Sequence, residues 1–219
     1  MNHTIIIADD HPLFRAALKQ SLTSAVDDAR ILEAESLKQL EQHVHGEIDL
    51  VLLDLHMPGA NGFSGLIYLR NHYPSVPVVV VSGNEKPIVM HRAVQFGATG
   101  FIPKSSSMET IADAIREVLN GEVWLPDDLP DMDATTDAED NKFAEQLATL
   151  TPQQFKVMIM LTEGLLNKQI AYELEVSEAT IKAHVTAILR KLGVYSRTQA
   201  VIAASRLQIE HPQDQEVNQ

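Results

Sequence analysis

The 219-residue chain carries a net charge of −13, 45% hydrophobic residues and no cysteine, which excludes a disulfide framework and any thiolate metal centre. That apolar content suits a folded chain of one or two domains. No run of residues is apolar and long enough to span a bilayer and no charged-then-apolar leader opens the sequence, so a cytoplasmic protein with no membrane partner is expected.

An apolar run at 4–8 predicts a first strand, and it ends in Asp9-Asp10-His11-Pro12. Proline at the first turn and Leu13, Ala17, Leu18 and Leu22 at helical spacing predict a helix over 12–24. A second strand follows at 30–34, then a helix over 36–44 with Ser36 as N-cap. The third strand, 50–54, delivers the single carboxylate of Asp54 to its end. Pro58 cannot extend a central strand, and Gly59-Ala60-Asn61-Gly62 turns the chain into a helix over 62–71. A strand at 77–82 ends in Ser82, a helix covers 87–96, a strand at 100–102 leads into Pro103-Lys104, and a helix over 107–120 completes five βα units.

In a parallel sheet with helical crossovers all these strand ends open on one edge, where open α/β sheets bind ligands. Three acids, one hydroxyl and one ammonium would meet there. A buried carboxylate without a partner is costly, so Asp54 is expected at a mouth open to water, a metal or a substrate. Taken singly, Asp9 and Asp10 read equally as helix N-caps, Ser82 as a turn cap, Lys104 as a surface charge and Phe101 as core. His11 reads as a packing residue at the helix start, or else as a ring whose Nδ1 or Nε2 assists the acids.

The span 121–148 holds nine acids and one base with no apolar period, and reads as an acidic linker with a short helix over 141–147. It is a plain tether, or else its acids, Asp131, Asp133, Asp137, Glu139 and Asp140 among them, shield a basic face. Residues 149–209 are the only segment with more bases, seven, than acids, four, so the overall charge is a poor guide to nucleic-acid binding. Thr151-Pro152 opens a helix with Phe155, Met158, Ile159 and Leu161 as its buried stripe, and Gly164 ends it. A short helix over 167–174, a longer one from Ser177-Glu178 to Leu192-Gly193, and a last one from Ser196 to about residue 206 follow. Residues 210–219 read as a disordered tail.

Asp9-Asp10, Asp54 followed by Met57-Pro58 and Gly62, Ser82, and Phe101 with Lys104 together resemble the receiver domain of two-component response regulators. Leu150-Thr151-Pro152, Gly164, Asn167-Lys168-Gln169-Ile170-Ala171 and the stretch from Ser177 to Gly193 resemble a LuxR-type helix-turn-helix output domain. Their order is that of the NarL/FixJ subfamily. The resemblance implies a doubly wound, flavodoxin-like (βα)5 receiver at 1–120, the linker at 121–148, and a four-helix DNA-binding domain at 149–209. It implies a phosphorylation-dependent transcriptional regulator rather than an enzyme in its own right, with a partner histidine kinase, double-stranded DNA, a second copy of the chain and RNA polymerase as partners. Asp54 would be the phosphoacceptor. Mg2+ would be held by Asp10 and Asp54, by Asp9 through water and by the backbone carbonyl of His56, while Lys104 would pair with the phosphoryl oxygens. Ser82 and Phe101 match the switch pair, the ring turning inward as the hydroxyl moves to the phosphoryl group.

On the long helix, about 100° per residue separates a core stripe of Ile181, Val185, Ile188 and Leu192 from an outer stripe of Ala179, Lys182, Ala183, Thr186 and Arg190. The outer stripe suits a major groove, with Lys182 reading guanine and Ala183 and Thr186 meeting thymine methyls. Lys168, Thr180, Lys191 and Arg197 are expected on phosphates. Departures from the pattern are Gln153-Gln154 in place of Arg-Glu, Leu166 in place of a small polar residue, Gly83 in place of alanine, and Thr186 where some relatives carry a base. Two other readings are a constitutive DNA-binding regulator with the receiver as an interaction module, and a phosphohydrolase working through an aspartyl phosphate. Haloacid-dehalogenase-like hydrolases of the second kind place another Asp two residues after the nucleophile, where this chain has His56.

Overall fold

The computed structural model describes residues 3–26, 28–130, 138–205 and 207, with the backbone alone for 138–141. They fall into two compact units, one reaching residue 130 and the other beginning at 138. The tail at 210–219 and the side chains of the five linker acids named above lie outside the described residues.

The first unit alternates strand and helix: β1 (Thr4–Ala8), α1 (Pro12–Ala25), β2 (Arg30–Ala34), α2 (Leu37–His43), β3 (Leu50–Asp54), β4 (His56–Met57), β5 (Ala60–Asn61), α3 (Ser64–His72), β6 (Val78–Ser82), α4 (Pro87–Gln95), β7 (Gly100–Pro103) and α5 (Met108–Leu119). The main sheet is parallel with strand order β2-β1-β3-β6-β7. Every residue of β3 and β6 is buried, as crossovers on both faces of a parallel sheet require. Ile5, Leu52 and Val81 pack on one side against Leu18 and Leu22 of α1 and Ile115 of α5. Each such side chain contributes roughly 1.5–3 kcal/mol of burial.

Register, rather than proximity in sequence, assembles the sheet edge. Ala8 pairs with Leu53, which sets Asp9 beside Asp54, and Ser82 pairs with Pro103, which sets Lys104 just beyond the hydroxyl. Where a turn is expected at 59–62, β4 and β5 form a two-residue antiparallel hairpin closed through Gly59 at φ +81°.

The span read as a linker is ordered at both ends. Trp124 runs beside β7: its N–H donates to the Thr99 carbonyl at 3.2 Å, and its own carbonyl accepts from the Phe101 N–H at 3.1 Å. A Cβ on Gly100 would lie 2.9 Å from that Trp124 carbonyl, so glycine is needed for this approach. Farther along, the Pro130 carbonyl lies 2.9 Å from Nε2 of His91 on α4. The pairing covers an otherwise open sheet edge.

Among the described residues the second unit has five helices, the four expected over 149–209 and the short one expected at 141–147: α6 (Ala138–Ala148), α7 (Pro152–Thr162), α8 (Asn167–Glu173), α9 (Glu178–Lys191) and α10 (Arg197–Ser205). The first of these starts three residues earlier than expected, and its Phe143, Ala144 and Leu147 are buried. The Gln153-Gln154 departure is accommodated, because Gln154 completes a reciprocal cap with Thr151 at the start of α7. At α8 only half of such a cap exists. Gln169 accepts the Leu166 N–H at 2.7 Å, and leucine has no oxygen to return.

Between α8 and α9 the chain turns through Glu175 at φ +53°, a left-handed conformation that costs a side-chain-bearing residue roughly 1–2 kcal/mol. Glu175→Gly is therefore expected to stabilise the protein by up to about 1 kcal/mol once glycine's extra chain entropy is deducted. A urea unfolding midpoint at or below that of the wild type would contradict this.

Candidate functional site

The carboxyl ends of β1, β3, β6 and β7 converge on a cavity of about 450 Å³ lined by His11, Leu13, Phe14, Asp54, Asn84 and Lys104, among others. Asp9 and Asp54 are 1% and 3% exposed. Lys104 Nζ lies 2.7 Å from Asp9 Oδ2 and 3.0 Å from Asp54 Oδ2. Asp10 is half-buried at the rim. The N-cap of α1 is His11, with extended backbone, so neither Asp9 nor Asp10 takes the alternative cap role. Asp9 instead accepts the His11 N–H at 2.8 Å through Oδ1. Its other oxygen is the one that meets Lys104.

The fit to a divalent cation follows from the donor set. Asp9 Oδ2, Asp10 Oδ1 and Asp54 Oδ2 are buried, and their contacts are to Lys104 for Asp9 and Asp54 and to His11 for Asp10. Three carboxylates against one ammonium leave the cleft negative, and hard oxygen donors of this kind suit Mg2+. Asp9, Asp10 and Asp54, with His11, form the only such group of potential ligands among the described residues. Burial pushes the Asp54 carboxyl above its usual range, Lys104 pulls it back, and Asp9 pushes it further up.

A group whose folded pKa is raised contributes stability that is complete below the unfolded value and is lost as pH rises through the folded one. In chelator, the stability gap between Asp54→Asn and the wild type is therefore expected to widen as pH rises through the carboxylate range. Thermal unfolding at several pH values checks this. A constant gap would mean that the Asp54 charge costs the fold nothing.

Ser82 is fully buried, and its Oγ accepts the Asn84 N–H at 3.1 Å. Phe101 is also fully buried. Its ring lies in the interior. Lys104 is held by its own backbone, its N–H donating to the Ser82 carbonyl at 2.8 Å.

Sequence reasoning missed two supports of this site. Arg15 is buried in α1 and donates from Nη1 to the Asp9 carbonyl at 2.8 Å, while Nε and Nη2 reach Glu33 and Glu35 at 3.3 and 2.6 Å. Phe14 offers its ring face to Lys104 Nζ at 4.8 Å from the centroid. The signal for both was present, since residues one turn into a helix that follows Asp9-Asp10 must face the sheet edge.

In the second unit Lys168, Thr180, Lys182, Ala183, Thr186 and Arg190 are all exposed, while Ile181, Ile188 and Leu192 are buried and Val185 is half-buried. Lys182 Nζ lies 3.0 Å from Glu178, one turn earlier. Thr186 Oγ1 donates to the Lys182 carbonyl at 2.9 Å. Lys191 and Arg197, expected on phosphates, are engaged by acceptors of their own unit. Lys191 Nζ donates to the Thr149 carbonyl at 2.7 Å and to Gln154 at 2.8 Å. Arg197 donates to the Leu161 and Leu165 carbonyls at 3.3 and 2.6 Å, where it satisfies the exposed end of α7.

No helix among the described residues is long and apolar enough to cross a membrane. The response regulator receiver domain model matches residues 5–116, and the model of bacterial regulatory proteins of the luxR family matches 148–204. The chain is 44% identical over 209 residues to the glycerol metabolism activator of Pseudomonas putida, covering 92% of this chain and 95% of that protein. It is 34% identical over 203 residues to the nitrate/nitrite response regulator protein NarL of Escherichia coli K12, covering 91% and 93%. A structure of RcsB from Salmonella enterica serovar Typhimurium bound to a promoter superposes with a TM-score of 0.56 at 23% identity, covering 95% of this chain and 100% of that one, a likeness of fold alone. With a receiver domain and its acidic cleft in the first unit and a LuxR-type domain in the second, the chain belongs to the NarL/FixJ-type two-component response regulators.

Proposed function

We propose that this regulator takes a phosphoryl group on Asp54 from a partner histidine kinase, and that phosphorylation promotes dimerisation and promoter binding. The observation that carries the reading is the buried Asp54 oxygen, 3.0 Å from the Lys104 ammonium and beside two further acids. A carboxylate attacks phosphorus only when charge on both partners is neutralised, and phosphoryl transfer otherwise asks little of a protein beyond positioning and electrostatics. Mg2+ would be held by Asp10 and Asp54, with Asp9 through water and the His56 carbonyl, and would supply that neutralisation. Lys104 would orient the incoming oxygens.

The added charge acts on the neighbouring Ser82, which holds the loop after β6 through Asn84. One residue of backbone pairing then links Phe101 to Trp124 and so to the chain leading into the second unit. RNA polymerase is the expected partner downstream, and the protein acts in the cytoplasm.

Incubation with acetyl phosphate and Mg2+ is expected to add one acid-stable, base-labile phosphoryl group and to raise DNA affinity in parallel. Intact mass and gel-shift measurements read both, and an adduct without a change in affinity would favour the constitutive reading. For base reading, Lys182→Ala is expected to weaken operator binding by about 1–3 kcal/mol and relax discrimination at one position. Lys168→Ala should weaken all sequences alike and reduce the salt slope by about 1. Equal losses on operator and random DNA for both variants would remove Lys182 from the reading face.

A further inference from the structure

His11 is the group in the acidic cleft that the proposed phosphoryl transfer leaves without a task. Its Nδ1 lies 2.7 Å from Asp10 Oδ1, 3.2 Å from Asp9 Oδ1 and 3.9 Å from Asp54 Oδ2. The imidazole nitrogen and one oxygen from each of the three acids all lie within 4.8 Å of one another. Two of those acids are more than nine-tenths buried, and their Oδ2 atoms share a single ammonium, Lys104 Nζ, at 2.7 and 3.0 Å. A packing residue at a helix start has no reason to bring its ring nitrogen to the centre of such a cluster.

We propose that His11 sets which divalent cation this cleft prefers, acting as a nitrogen ligand for transition-metal ions and as a competitor of Mg2+. The inference rests on the reading of Asp9, Asp10 and Asp54 as cation ligands. Mg2+ favours oxygen ligands and keeps its waters, so it gains nothing from imidazole and must break the contacts that hold the ring over Asp10 and Asp9. Nickel and its neighbours in the first-row series bind imidazole well. For them the ring hydrogen sits on Nε2 and the Nδ1 lone pair faces the ion. The side chain is 56% exposed, so this arrangement buries no unpaired donor. Lys104 Nζ faces the same acids from the β7 side, and His56 lines the same cavity, so the cation replaces part of a charge balance that already exists.

Removing the ring should move the two affinities in opposite directions, which neither a general loss of structure nor a general change in charge produces. In titration calorimetry on the full chain, His11→Ala is expected to weaken Ni2+ binding at the cleft about tenfold or more. It is expected to tighten Mg2+ binding by about two- to fivefold, the scale of one exposed ion pair. His11→Gln, which keeps a polar side chain but has no imidazole, should show the same Ni2+ loss and guards against a folding defect in the alanine variant. Asp54→Asn identifies which calorimetric event belongs to the cleft. If Asp54→Asn changes neither cation's binding, the cation reading of the acids fails. If it changes both while His11→Ala shifts both affinities the same way, or leaves Ni2+ unchanged, His11 is not a ligand and this inference alone is overturned.

Discussion

Asp54→Asn should abolish the acetyl-phosphate adduct outright and hold DNA affinity at its unphosphorylated value whatever phosphodonor is present. The expectation is all-or-none because the amide that replaces the carboxylate has no oxygen nucleophilic enough to attack phosphorus. No substitute lies in reach. Asp9 is tied to the His11 N–H through one oxygen and to Lys104 through the other, and Asp10 sits at the rim against His11. Complete switching between two states needs a differential stabilisation of about 5.5 kcal/mol, so a wild-type response smaller than full is compatible with the mechanism. A residual response in the variant is not. Intact mass and DNA affinity measured side by side on wild type and Asp54→Asn decide the matter, and an adduct on the variant equal to that on the wild type would move the phosphoacceptor elsewhere.

Lys104→Met is expected to lower the stability of the metal-free protein by about 3 kcal/mol, the lower end of what breaking a buried charge pair costs. Two carboxylates, both nearly inaccessible, lose the ammonium that lies within 3.0 Å of each, and methionine fills the space without replacing the charge. The lower end applies because the cleft opens to solvent and Lys104 is itself 19% exposed. Saturating Mg2+ should restore a large part of the loss, since a divalent cation among the same acids supplies the missing positive charge. The phosphorylation-dependent gain in DNA affinity should still be absent, because Mg2+ does not take over the contact to the phosphoryl oxygens from the β7 side. Urea denaturation with chelator and with Mg2+ reads the first effect and gel shift reads the second. A Lys104→Met protein as stable as wild type in chelator would mean that the acids are solvated or protonated, not held by Lys104.

Local chemistry made most of the elements legible in sequence. Proline at the first turn of α1, α4 and α7, serine caps before α2, α5 and α9, and uninterrupted apolar runs in β3 and β6 each dictate their element without help from distant residues. The acids, the hydroxyl and the lysine were legible because strand ends of a parallel sheet share an edge, whatever the connecting helices contain. What local chemistry left out depended on partners far along the chain. Span 121–148 looked like linker with one short helix because its composition is acidic and aperiodic, yet Trp124 finds the free edge of β7 and Phe143 and Leu147 of that helix are buried. Lys191 and Arg197 look like any basic residue of a DNA-binding domain, and only packing brings the carbonyls of Thr149, Leu161 and Leu165 to them.

By itself, then, the sequence determined which residues can do chemistry and on which ends of which elements they stand, because periodicity, caps and strand ends are properties of neighbours. Only the tertiary structure decided that Asp9 and Asp54 share one lysine, that Phe101 lies inside, that Arg15 braces the Asp9 loop, and that His11 reaches into the acids. The reason is register. Pairing Ala8 with Leu53 and Ser82 with Pro103 is a choice among sheet alignments that sums buried contacts over the whole unit, and no local stretch of the chain contains that sum.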